Sequence, residues 1–148
     1  MRLILWCRGL AGAGELAPDP PAEDVLAHLQ ADYDTWGWAD PMVELGWHEG
    51  SHLVDQLLVV RHPVRGFYCE YSGRRPERWA VAVAQAGGEW VPQMSNGAQA
   101  YFLACCFLPL AMAEQVVGKF IDNGALSVAV RWVPFEDLYP RRDRPPGG

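Results

Sequence analysis

The spacing of apolar positions changes along the chain, and those changes divide it into elements. Leu3, Ile4, Leu5, Trp6 and Cys7 form a short apolar run, which predicts a buried strand at residues 3–7. Gly9, Gly12 and Gly14 then open a loop that lacks the Gly-Lys-Ser/Thr ending of a phosphate cradle. Val25, Leu26, Leu29 and Tyr33 recur at helical spacing, so a helix is expected over 21–33. Asp19-Pro20-Pro21 suits its start, with Asp19 expected to cap the free N–H groups and Glu23 and Asp24 near the positive end of the dipole. His28 lies beside the apolar stripe and reads as a boundary residue.

Beyond a turn-rich break at 36–41 the period shortens to two. Strands are expected at 43–47, 56–61, 66–71, 78–85 and 89–94, with Gly87-Gly88 as a tight turn before the last. Trp79, Val81 and Val83 alternate with Ala80, Ala82 and Ala84, which suits a strand covered on both faces. Residues 101–108 read as one more strand, ended by Pro109. Helical spacing returns in Ala113, Val116, Val117, Phe120 and Ile121, predicting a helix over 110–123 that Asn123-Gly124 closes. Alternation at 128–133 predicts a final strand. Strands grouped between two helices and joined by short turns indicate a single α+β domain over residues 1–138: a mainly antiparallel sheet with two packed helices. Residues 139–148, rich in Arg, Pro and Gly, are expected to be a flexible tail.

Composition sharpens this picture in three ways. The chain has 148 residues, half of them apolar, which is enough for one closed core. Cys7, Cys69, Cys105 and Cys106 have neither the spacing of a disulfide framework nor that of a zinc knuckle and read as buried reduced thiols, the adjacent pair facing opposite sides of an extended strand. No apolar run approaches the roughly 18–20 residues of a membrane span, and the first one is too short for a signal-peptide core, so the expected location is the cytoplasm.

Charge is distributed unevenly. Residues 1–60 carry ten acids against Arg2 and Arg8, a net of −8, whereas eight acids and ten bases leave the remainder at +2. The acidic part should repel nucleic acid and anionic membrane and could steer a basic protein partner. Trp36, Trp38 and Trp47 lie in or near turns among these acids, a combination that suits a binding surface but also suits tryptophans closing a core edge. The candidate partner-binding residues are therefore Asp32, Asp34, Trp36, Trp38, Glu44, Trp47 and Glu49.

His48-Glu49-Gly50-Ser51-His52 has the H-E-x-x-H spacing that, on a helix, sets two imidazoles one turn apart on zinc with Glu as general base. Gly46, Gly50 and Ser51 are poor in a helix interior, and Gly50-Ser51 reads better as a turn between strands that would point His48 and His52 apart. A small zinc hydrolase is the enzymatic alternative; a generic protein-binding domain is the other. No nucleophile elbow is present, and nothing orients Cys69 and His62 as a dyad.

The last third of the chain, residues 89–135, carries Trp90-Val91-Pro92, Tyr101-Phe102-Leu103, Leu108-Pro109-Leu110, Ala113-Glu114-Gln115-Val116-Val117, Phe120, Gly124 and Val130-Arg131-Trp132-Val133-Pro134. This pattern resembles the C-terminal helix and strand of bacterial immunity proteins from polymorphic toxin and contact-dependent inhibition systems. The resemblance implies a cytoplasmic protein that binds and neutralises a cognate protein toxin, such as a nucleic-acid-acting enzyme, with no catalytic residues and no cofactor.

Overall fold

The computed structural model describes residues 1–7, 15–37, 40–95 and 98–139. The expected single α+β domain is what it shows. Strands β1 (Arg2–Cys7), β2 (Glu15–Pro18), β3 (Met42–Glu49), β4 (His52–His62), β5 (Gly66–Gly73), β6 (Trp79–Val83) and β10 (Arg131–Pro134) make an antiparallel sheet in the order β10-β6-β5-β4-β3-β1-β2. The two-residue β9 (Phe107–Leu108) pairs with the free end of β5, and β7 (Trp90–Ser95) with β8 (Ala98–Leu103) forms a separate hairpin.

Each strand's alternation sends its side chains to two different cores, one per face. On the first face, Leu3, Leu5, Val43, Leu45, Leu57, Val59 and Cys69 meet helices α1 (Ala22–Gln30) and α3 (Leu110–Asn123), which contribute Val25, Leu29, Ala113, Val116, Val117 and Phe120. On the second, Met42, Val60, Tyr68, Val81 and Val83 meet the hairpin, the 3-10 turn Ala104–Cys106 and the short helix α4 (Phe135–Leu138). Ala80 and Ala82 bury toward one side of β6 and Val81 and Val83 toward the other, as the alternation predicts.

Several expectations need correction. The first helix stops at Gln30, because Ala31 is extended; a separate turn of helix, α2 (Tyr33–Trp36), follows. Pro21 stands at the N-cap, and Asp19 instead pairs with Arg2 and accepts the Leu3 N–H at 3.3 Å. Residues 101–108 are not one strand: the 3-10 turn interrupts them, so β8 pairs with β7 while β9 crosses to β5. Cys105 and Cys106 consequently both bury in the second core, with sulfurs 3.9 Å apart, rather than facing opposite ways. The final strand begins at Arg131; Val128 is fully exposed in the preceding turn. Glu15–Pro18, where the apolar spacing predicts no element, is an edge strand. Tyr139, assigned to the tail, is buried, and its hydroxyl accepts the Leu103 N–H. The remaining tail and the Gly9–Gly14 loop lie outside the described residues.

Candidate functional site

The H-E-x-x-H segment is a hairpin. Gly50 turns with φ +61, Glu49 pairs with His52, and His48 pairs with Leu53. Paired residues share a face, so the two imidazoles project from opposite faces of the sheet, and the two-ligand face that the motif needs is not formed. Among the described residues no group of three or more His, Cys, Asp and Glu is placed to hold a metal ion.

Beside this hairpin lies a polar network that the sequence did not announce. Asp55 is buried on β4; Tyr71 on β5 donates its hydroxyl to Asp55 Oδ1 at 2.6 Å, and Arg74 Nε donates to Asp55 Oδ2 at 3.2 Å. Arg74 also reaches Glu49 at 3.0 Å. The Arg75 N–H donates to the Tyr71 hydroxyl, and its guanidinium donates to the carbonyls of Gly124 and Asn123 at the C-terminus of α3, where the helix dipole favours a cation. Burial, then the bond to Asp55, pushes the Tyr71 hydroxyl up to about 12. Every partner is internal, so the network ties the β5–β6 connection to α3 and to the hairpin.

Among the described residues, the proposed anchors do not assemble into one surface. Trp36 is fully buried; its indole N–H donates to the His28 carbonyl at 2.8 Å, and its ring lies 5.8 Å from Phe67. Trp47 is half-buried against α3 and donates to the Phe120 carbonyl at 2.8 Å. These two close the core rather than face a partner. Trp38 lies outside the described residues. Asp32 and Asp34 are exposed at α2, Glu49 is exposed but paired with Arg74, and Glu44 is half-buried on the opposite face of the sheet, between Met42 and Gly46 on β3. Glu23 and Asp24 are exposed at the start of α1, and Asp32 and Asp34 are exposed just beyond its end. Arg61, the first basic residue after Arg8, is engaged with the Ala31 carbonyl and lies over the rings of Trp36 and Phe67.

A cleft of about 430 Å³ opens on the second face, where the β7–β8 hairpin stands over β4 and β5. Tyr68 and Glu70 project into it from β5, and Trp90, Tyr101, Phe102 and Tyr139 complete an aromatic wall. The Tyr68 hydroxyl donates to Glu70 Oε1 at 2.6 Å, and burial with the neighbouring carboxylate raises the phenol well above its ordinary pKa, so it stays a donor. Tyr68 packs edge-on against Phe102 at 4.7 Å, and Trp90 sits 5.7 Å from Tyr139. Sequence reading missed this site because four separate segments build it. The one local signal was Tyr68 and Glu70 at alternate positions, which put a carboxylate two residues from a large aromatic on the same face of β5.

Comparisons with protein-family models, with characterised proteins and with solved structures gave no match. No helix among the described residues is long and apolar enough to cross a membrane.

Proposed function

We propose that this protein is an immunity protein: it binds a basic bacterial toxin and blocks it. The observation that carries this reading is that the acids at both ends of α1, Glu23, Asp24, Asp32 and Asp34, are all exposed, in a stretch from residue 15 to residue 60 without a single Lys or Arg. A toxin acting on nucleic acid needs a cationic cleft to hold phosphates, and an acidic protein surface complements such a cleft. The resemblance at 89–135 points the same way: Pro109 precedes α3, Gly124 closes it, and Trp132 lies in the closing strand.

The test is co-expression with the toxin encoded beside this protein's gene. Cells carrying both should survive, and the two purified proteins should form a complex whose association slows as salt rises. Equal killing with and without this protein would sink the reading.

A further inference from the structure

We propose that the aromatic cleft is the seat of a basic side chain, an arginine or lysine that the toxin inserts between the hairpin and β5. This rests on the immunity reading above for the identity of the partner, and it places the anchor on the sheet face opposite the one that α1 covers. The cleft joins two features that recognise organic cations together. Tyr68, Trp90, Tyr101, Phe102 and Tyr139 line it, and the π face of an aromatic ring attracts a cation. Glu70 adds a half-buried carboxylate; Tyr68 engages one of its oxygens, and among the described residues no basic side chain pairs with it or lines the cleft. An apolar guest would cover that carboxylate without replacing its hydration, which is unfavourable. A guanidinium or ammonium group supplies the missing donors and charge while its alkyl stem packs on the rings. The volume of about 430 Å³ accommodates one long side chain. The chain's net charge of −6 favours a basic partner over an acidic one.

The experiment titrates the isolated protein with N-acetyl-arginine methylamide, its lysine counterpart, and the neutral citrulline analogue, following the Trp90 indole resonance by NMR. The cationic probes should saturate with a dissociation constant of about 1 mM, and citrulline should bind about tenfold more weakly. Glu70→Gln, which keeps an acceptor for Tyr68, should abolish that preference, and Tyr101→Ala, at an exposed ring, should weaken all three probes. Both variants should also dissociate faster than wild type from the toxin. No saturable shift at Trp90, equal binding of citrulline, or unchanged toxin dissociation in both variants would overturn the proposal. Those outcomes leave the immunity reading standing if wild-type protein still protects; loss of protection despite cation binding at the cleft would instead refute the toxin as its occupant.

Discussion

Gly124 shows how much a single residue can fix. It follows the last apolar position of α3 with φ +68, a left-handed conformation that a side chain strains, and an added Cβ would lie 3.0 Å from the Trp47 ring. Gly124→Ala should therefore destabilise the protein by at least about 1 kcal/mol in urea unfolding; an unchanged midpoint would mean that neither the cap nor the Trp47 contact matters. Tyr71→Phe tests the internal network. It removes the 2.6 Å bond to buried Asp55 and should cost about 1–3 kcal/mol, because the carboxylate keeps its burial and loses a donor. A loss well below that range would show Arg74 to be sufficient. The glycine was legible, since Asn-Gly after a helical stripe has a local meaning. The network was not: Asp55, Tyr71 and Arg74 meet only through strand register. Trp36 misled for a related reason, because a tryptophan beside Asp34 and Gly37 reads as surface until its indole finds the His28 carbonyl.

Among the elements, the helices and the strand meander β3–β6 were legible because each repeats one period for long enough. The failures fall where a single apolar run serves two partners. Residues 101–108 look like one strand, yet the first part pairs with β7 and the end pairs with β5. The connections also carry a pH dependence. His28, at the end of α1, lies against Trp36 at 4.7 Å with its buried Nε2 lacking a partner among the described residues; burial, then Arg61, holds its pKa below the ordinary value. His62, at the end of β4, accepts the N–H groups of Val64 and Arg65 at Nδ1, and burial, then Arg65, lowers it too. A folded-state pKa below the unfolded one means that protonation favours unfolding. This contribution is complete above about pH 6.5 and is lost as pH falls from there toward the depressed folded-state values. The urea midpoint should drop between about pH 7.5 and about pH 5.5. His28→Phe, which keeps a ring against Trp36 but cannot titrate, should show a smaller drop; an equal drop would assign the effect elsewhere.

For the molecule as a whole, the fold class was legible from the order of elements, whereas the cleft was not, since it exists only once the hairpin lies across the second face. Whether that second layer is integral to the domain is a question of cooperativity, and the thiols can report it. Cys69 lies in the helix-side core and Cys106 in the opposite one, both fully buried, and burial pushes each thiol up to about 12. A buried, protonated thiol reacts only when its surroundings open. The two cores share their strands: Val59 and Val60 are neighbours on β4, one in each core, as are Tyr68 and Cys69 on β5. Opening either core should therefore disrupt the other, and the domain should unfold in one transition. Two variants, one retaining only Cys69 and the other only Cys106, should be inert to a thiol reagent when native. Their thiols should become reactive at the same urea concentration, measured relative to each variant's own global midpoint. Earlier exposure of Cys106 would show that the hairpin, the 3-10 turn and α4 open as a separate unit. In that case the cleft would have one rigid wall, the sheet, and one movable wall, the hairpin.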